Sequence, residues 1–109
     1  MTSTVSLSKS DSDIIRMASQ SRTGRKFREL MVGNTNGYPS HSNADYALVL
    51  MIGFYTQNEQ QIDRIFRSSG LMRKKWDKEV GDETYGQLTI RNALRTIRRT
   101  YTGQQQSCL

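Results

Sequence analysis

Apolar residues recur at intervals of three and four along most of this chain, which is the spacing of one face of a helix. No segment alternates apolar and polar residues with the period of two that a half-buried strand shows. The pattern predicts helices over residues 11–21, 25–31, 43–55, 59–68 and 85–101, with one or two further helical turns within 72–78. Four of these helices start at pairs with N-cap spacing, namely Ser10 with Asp13, Ser42 with Asp45, Asn58 with Gln61, and Thr84 with Gln87.

The segment 46–55 differs from the others because it is apolar on every side. A helix of that kind is surrounded by protein. It follows a loop over 33–41 that is rich in glycine and asparagine and holds the only proline. We therefore predict an all-α fold, a small bundle of about five helices packed around this central apolar helix.

Length and composition place the bundle within the chain. A chain of 109 residues suits one domain, and its 35% hydrophobic share lies below the average of roughly 45–50% for globular domains. The polar excess lies mainly at the two ends. We expect a disordered N-terminal stub over 1–9, the helix bundle over 10–101 and a disordered tail over 102–109.

Several classes of protein are disfavoured by what the sequence lacks. Cys108 is the only cysteine and His41 the only histidine, so neither a disulfide, a metal site nor a Ser-His-Asp triad is expected. No nucleophile, base and orienting group come together, so we expect no catalysis by this chain alone. Residues 1–10 have no apolar core, and no uncharged run is long enough to span a bilayer. We expect a cytoplasmic protein with no membrane partner.

The net charge of +6 is concentrated in two regions. Residues 22–31 hold four basic residues and one acidic residue, and residues 61–101 hold ten basic and five acidic residues. Such a balance favours an anionic partner, nucleic acid or nucleotide. For Arg91, Arg95, Arg98 and Arg99, a phosphate-binding track and an ordinary solvated helix face are both open interpretations.

The segment 64–76 is the densest candidate for an anion site. It combines cations, hydroxyls and the backbone N–H groups around Gly70, a set that binds anions; its members are Arg64, Arg67, Ser68, Ser69, Arg73, Lys74, Lys75 and Trp76. Trp76 either stacks on a base or belongs to the core, and the core is favoured for a lone tryptophan in a small helical domain. Tyr38 and Tyr85 are alternative stacking groups. Asp45 is interpreted as a cap, and His41 as a loop residue within reach of a ligand.

The order of these motifs resembles a known family. Residues 40–48, Ser-His-Ser-Asn-Ala-Asp-Tyr-Ala-Leu, and residues 54–56, Phe-Tyr-Thr, are similar to the Ser-x-Ser-x-Ala-Asp-x-Ala-Leu and Phe-Trp-Thr signature of the helix bundle domain of plasmid and phage primase-polymerases. The resemblance continues through 61–71, 73–76 and 84–90 and covers about residues 11–97. Tyr55 stands where the family has tryptophan, and Lys74 replaces an acidic residue, which makes the site more basic.

The resemblance implies a non-catalytic DNA-primase accessory domain. Such a domain follows an archaeo-eukaryotic-type primase-polymerase domain and often precedes a superfamily 3 helicase. It would bind single-stranded DNA template and initiating nucleotides, with ATP or another NTP and its Mg²⁺ as bound ligands and no intrinsic cofactor. Its partners would include the primase-polymerase and helicase domains of the same parent protein.

The site residues implied by the resemblance overlap those found from charge. Together the two lines of reasoning nominate Ser40, His41, Ser42, Asp45, Arg64, Arg67, Ser68, Ser69, Arg73, Lys74, Lys75, Trp76 and Tyr85. Two other functions stay open: a stand-alone mobile-element protein that uses the same bundle to bind a protein partner, and a helix-turn-helix repressor that reads DNA with residues 91–99. The second leaves the basic segment 64–76 without a role.

Overall fold

Five α-helices make up most of residues 9–100, the part of the chain that the structure, a computed structural model, describes. In chain order the elements are α1 (Asp11–Ser19), α2 (Gly24–Met31), α3 (His41–Tyr55), α4 (Glu59–Arg67), a 3₁₀ helix (Lys74–Asp77), β1 (Glu79–Val80), β2 (Glu83–Thr84) and α5 (Tyr85–Thr96). The predicted all-α class is confirmed. The two strands pair as a short antiparallel hairpin, which the sequence pattern did not predict because two residues are too few to show an alternation.

Helix α3 is the centre of the bundle, as its all-round apolar surface predicted. It packs against each of the other four α-helices. Its side chains Ala44, Leu48, Val49 and Ile52 are completely buried. Since α3 carries the candidate residues Ser42 and Asp45 near its N-terminus, the core holds that end of the helix in a fixed position.

Three helix starts follow the predicted caps. Ser10 and Asp13 form a capping box on α1, Thr84 and Gln87 form another on α5, and Asn58 caps α4 through Gln61. Each pair lies within one turn, so the cap depends on local sequence alone.

The predicted start of α3 is wrong by one half-turn. Ser40, rather than Ser42, is the N-cap, and its side chain accepts from the backbone N–H of Asn43 at 3.2 Å. His41 is therefore the first residue of the helix instead of a loop residue, and Ser42 lies inside the first turn. Asp45 is not a cap residue: it faces the core.

Helix α5 is shorter than predicted. It ends at Thr96, and Ile97 has an extended backbone and packs so closely on α3 that a Cβ added to Gly53 would lie 2.6 Å from the Cδ1 atom of Ile97. Arg98 and Arg99 therefore lie beyond the helix, so the four arginines of residues 91–99 do not share one helix face. The expected tail, 102–109, and residues 1–8 of the expected stub lie outside the described residues.

Within residues 9–100 no helix combines the length and the apolar character needed to cross a membrane. The same part of the chain contains no group of three or more His, Cys, Asp or Glu residues placed to hold a metal ion.

Candidate functional site

A buried carboxylate lies at the base of the candidate site. Asp45, in the second turn of α3, is 0% exposed and accepts three hydrogen bonds. Arg73 donates to both carboxylate oxygens, at 3.0 and 2.9 Å, and the Tyr85 hydroxyl donates at 2.6 Å. Because paired N–H donors from one guanidinium fix both distance and angle, the carboxylate joins α3, the segment after α4 and the start of α5 in one orientation. These three residues form the Asp45 cluster.

The pKa values of the two donors to Asp45 are both raised. Hydrogen bonds to Asp45 raise the pKa of Arg73 above its ordinary value. Burial, followed by the hydrogen bond to Asp45, raises the pKa of Tyr85. At neutral pH Arg73 is therefore charged and Tyr85 is neutral, so each donates to the carboxylate.

One lysine, Lys75, contacts both Tyr85 of the Asp45 cluster and the first turn of α3. Lys75 donates from Nζ to the Ser42 hydroxyl at 3.2 Å, and the same nitrogen lies 4.6 Å from the centre of the Tyr85 ring. Lys74 precedes it in the 3₁₀ helix, and both side chains are exposed. Neither forms an ion pair with a carboxylate among residues 9–100. We define the Lys75 face as His41, Ser42, Lys74, Lys75 and the ring of Tyr85.

The positive end of a helix adds to this face. His41 and Ser42 are the first two residues of α3, a helix of 15 residues. The N-terminus of such a helix carries a partial positive charge, and its first turn has backbone N–H groups with no carbonyl partner inside the helix. Ser40 binds one of these groups, that of Asn43. The helix end and the ammonium of Lys75 therefore favour an anion at the same place.

The arginines of α4 are in a different environment. Arg64 donates to both oxygens of Asp11 at 3.0 Å, while Arg67 contacts Asp63 at 2.7 Å and Asp77 at 2.6 and 3.1 Å. We define these five residues as the Arg67 cluster. Four of them line a polar cleft of about 500 Å³ between α4 and the start of α5, and the fifth, Asp11, belongs to α1. The cluster holds three acidic and two basic side chains, so it presents no excess of positive charge.

The pKa values of this second cluster reflect the same pairing. Hydrogen bonds from Arg67 lower the pKa of Asp77, and those from Arg64 lower the pKa of Asp11. The pKa of Arg67 is raised by its hydrogen bonds to Asp77 and Asp63. The basic segment 64–76 thus contains two groups of cations. Its arginines are paired with aspartates, whereas its lysines have no acidic partner among residues 9–100.

Trp76 separates the two clusters and belongs to the core. It is 1% exposed, and its ring stacks on Phe66 with centroids 3.6 Å apart and an interplanar angle of 9°. On its other side, α5 comes so close that a Cβ on Gly86 would overlap the indole. Its Nε1 donates to Asp63 at 2.8 Å. The core interpretation is confirmed, and since both ring faces are covered, Trp76 has none left on which a base could stack. Of the candidate stacking groups, Tyr85 lies at the Lys75 face.

The serines and the glycine that follow α4 have structural partners. Ser68 and Ser69 donate from their hydroxyls to the carbonyls of Ile65 and Phe66, at 2.6 and 2.7 Å. The backbone N–H of Gly70 donates to the carbonyl of Met31 at 2.7 Å. The expectation that backbone N–H groups around Gly70 help to form an anion site is therefore wrong for Gly70 itself, because that group joins the end of α4 to the end of α2.

The basic residues of α5 are also partly paired. Arg91 forms an ion pair with Glu83. Arg95 is exposed in the last turn of the helix, and Arg98 and Arg99 follow its end. The four arginines therefore do not present the continuous recognition surface that a helix-turn-helix repressor requires.

Comparison with known proteins identifies the family of this chain. The family model described as the NrS-1 polymerase HBD domain, NrS1-1_pol-like_HBD, matches residues 41–103, which is more than half of the chain. The chain belongs to this family. The matched part begins with α3 and includes α4 and α5, so it contains the Lys75 face and nearly all of both clusters. The predicted resemblance to a primase-polymerase helix bundle domain is confirmed.

A curated relative supports the same assignment. The DNA primase-polymerase of Nitratiruptor phage NrS-1 is 34% identical to this chain over 61 residues. That alignment covers 55% of this chain and 8% of the phage protein. The chain thus corresponds to a small part of a much longer replication protein.

The partnership of Asp45 was not predicted from the sequence, although a signal was present. Asp45 precedes ten uncharged residues, 46–55, in a helix predicted to be surrounded by protein. Burial of an unpaired carboxylate in such a helix would cost the fold much free energy, so the carboxylate is expected to have a hydrogen-bonding partner. This argument predicts a partner for Asp45, but not that the partners are Arg73 and Tyr85, which lie 28 and 40 residues away.

Proposed function

We propose that this domain is a non-catalytic accessory module of a primase-polymerase that binds single-stranded DNA template and initiating nucleoside triphosphates on the Lys75 face. The observation that carries the proposal is the unequal pairing of the cations. Lys74 and Lys75 lack acidic partners among the described residues, whereas Arg64, Arg67 and Arg73 are each paired with aspartate.

The chemistry of this face suits phosphate. Two ammonium groups, the Ser42 hydroxyl and the start of α3 supply donors and positive charge for a phosphate group, while the Tyr85 ring supplies an aromatic surface beside them. The ammonium of Lys75 is already directed by Ser42 and by the ring, so little side-chain freedom remains to be lost on binding.

The buried cluster below has a positioning role in this proposal. Asp45 and Arg73 are turned toward each other and hold the 3₁₀ helix and Tyr85 against α3. They keep the Lys75 face in one geometry instead of binding phosphate themselves. Primer initiation must bring two nucleotides together on a template, which is mainly an entropic difficulty, and a fixed auxiliary site reduces it. Mg²⁺ would arrive with the triphosphate.

The likeness to a longer protein supports a place in a larger assembly. Because the aligned part is 8% of a phage DNA primase-polymerase, we propose that the polymerase domain, and a helicase domain where the parent has one, act together with this module.

The test is a binding titration with matched loss of charge. The K74A/K75A variant and a control, R22A/K26A, each lose two positive charges, but the control residues are exposed at and just after the corner between α1 and α2 and do not belong to the Lys75 face. Fluorescence anisotropy with a 20-nucleotide single-stranded oligonucleotide should show about a tenfold loss of affinity for K74A/K75A and a salt slope lower by about 1.4. The control should lose about twofold or less through its net charge.

A second readout tests the triphosphate. Addition of ATP with Mg²⁺ should move the amide NMR signals of the first turn of α3, of Lys74 and Lys75, and of Tyr85 in the wild type. Equal losses of DNA affinity in the two double variants, or ATP-dependent shifts only at other residues, would contradict the proposal.

A further inference from the structure

An apolar groove opens on the side of the bundle formed by α1, α2 and the outer face of α3. Its volume is about 550 Å³, large enough for two or three large side chains. The residues that line it are mainly apolar: Ala18, Ser21, Arg22, Thr23, Phe27, Ala47, Leu50, Met51, Phe54 and Tyr55. Phe54 is 37% exposed, which is a large aromatic surface in contact with water.

The two walls of the groove differ in charge. On the side formed by α1 and α2, Arg22 is the one charged residue that lines the groove. Residues 46–58, which form the other wall and the turn after it, hold no charged residue at all. The lining of the groove therefore has one cation on the α1 and α2 side and no charge on the α3 side.

Arg22 is the cation at the groove itself. Three of its basic neighbours have partners: Arg16 pairs with Asp13, Arg25 with Glu29, and Arg28 donates to the carbonyl of Ser19. Arg22 is exposed, and none of the hydrogen bonds or ion pairs among residues 9–100 involves it. Its charge is available to a molecule seated in the groove.

We propose that this groove binds a polypeptide segment that has an apolar stripe and acidic residues along one flank. The apolar lining would bury the stripe, as grooves of this kind do for amphipathic helices. Arg22, which lies on one side of the groove only, would pair with the acidic flank and so determine the orientation in which the segment binds. A nucleic acid fits this surface poorly, because Arg22 is the only cation among the lining residues that the structure describes.

This proposal is independent of the proposed DNA and nucleotide site. The groove uses α1, α2 and the C-terminal half of α3, whereas the Lys75 face uses the first turn of α3, the 3₁₀ helix and the start of α5. Loss of one function by mutation should leave the other intact.

The experiment is a peptide selection on the full 109-residue chain. A displayed library of helical peptides with randomised flanks would be selected on the wild-type protein, and the enriched peptides would be measured by fluorescence anisotropy. We expect an apolar stripe with Asp and Glu on one flank. Arg22→Glu should weaken these peptides about tenfold, and Met51→Glu should abolish binding.

Val80→Glu is the matched control, because Val80 is an apolar residue that is 46% exposed on β1, outside the groove. It should leave peptide affinity unchanged. Arg22→Glu changes an exposed side chain, so it keeps the test valid if Met51→Glu lowers stability.

Four outcomes would overturn the proposal. Enriched peptides could have neutral or basic flanks, or no peptide whose binding depends on Met51 could be enriched. Sedimentation could show a dimer that Met51→Glu dissociates, which would make a second copy the occupant. Binding could require deletion of residues 101–109, which would make the chain's own C-terminal segment the occupant.

Discussion

The Asp45 cluster and the Arg67 cluster lie on either side of Trp76, and both pair arginine with aspartate. They differ in how deeply the aspartates are buried and in the charge of their surroundings. In the first, one buried carboxylate binds Arg73 and Tyr85, and Lys74 and Lys75 nearby in the sequence form no ion pair with a carboxylate among residues 9–100. In the second, three exposed or half-buried aspartates neutralise two arginines. The number of cations in a segment therefore says little about where an anion binds; what matters is which cations have acidic partners.

The largest expected difference between the clusters is in stability. Asp45→Asn keeps the size of the side chain but leaves Arg73 without its ion pair, so we expect a loss of about 3 kcal/mol in the free energy of unfolding. Asp77→Asn, in the Arg67 cluster, removes one partner of an exposed arginine that retains Asp63, and its effect should be far smaller. Urea denaturation followed by circular dichroism measures both. Similar losses in the two variants would remove the distinction between the clusters.

The second difference concerns the hydroxyl of Tyr85. Tyr85→Phe removes a hydrogen bond to a buried charge and should cost about 2 kcal/mol. Tyr46→Phe is the matched control, because the Tyr46 hydroxyl bonds to the hydroxyl of Thr96, a neutral and exposed partner, at 2.7 Å. It should cost about 0.5 kcal/mol.

The same variant has a signature in alkaline solution. The pKa of Tyr85 is raised in the folded state above its ordinary value of 10.0, so its contribution to stability is complete below pH 10 and is lost as the pH rises through the folded pKa. Wild-type stability should therefore fall above about pH 10, and Tyr85→Phe should reduce that fall. If Tyr85→Phe leaves the loss of stability above about pH 10 unchanged, Tyr85 does not control that loss.

The third prediction removes an acidic partner from Arg67, so that this arginine becomes more like the lysines of the Lys75 face. Asp77→Asn removes the acidic partner that contacts both terminal nitrogens of Arg67, so the guanidinium becomes available to phosphate. The affinity for single-stranded DNA should rise by about two- to threefold. Asp82→Asn gives the same change in net charge at an exposed hairpin turn and should raise the affinity less. Equal gains, measured by anisotropy at one salt concentration, would mean that net charge alone governs binding.

Much of the scaffold could be predicted because its signals are local. The caps at Ser10, Asn58 and Thr84 each act within one turn, and the apolar surface of α3 specifies a central helix whatever its neighbours are. The end of α5 could not be predicted in the same way. Ile97 continues the apolar stripe of the helix, yet it leaves the helix and packs against Gly53, a contact between residues far apart in the sequence.

The site was predictable in composition but not in pairing. The segment 64–76 was found from its charge, and the position of Trp76 in the core follows from its size. The division of that segment into two clusters depends on Asp45 and Asp11, which lie 28 and 53 residues from their arginine partners. No local pattern shows which acidic residue reaches which cation, so the face that keeps its charge became visible only in the folded chain.

The smallest expected effect is the acid sensitivity of the Arg67 cluster. Hydrogen bonds from Arg64 lower the pKa of Asp11 below its ordinary value of 3.8, so the stability that this pair adds is present above that value and is lost as the pH falls through the lower folded pKa. Arg64→Ala should therefore lower the stability slightly at pH 7 and flatten the loss between about pH 4 and pH 2 by the same small amount, since an exposed ion pair contributes little. Urea midpoints measured across that range test this directly. If Arg64→Ala instead lowered the midpoint at pH 7 as much as Asp45→Asn does, the Arg67 cluster would have to be regarded as a second structural centre, and its arginines could not be treated as merely neutralised.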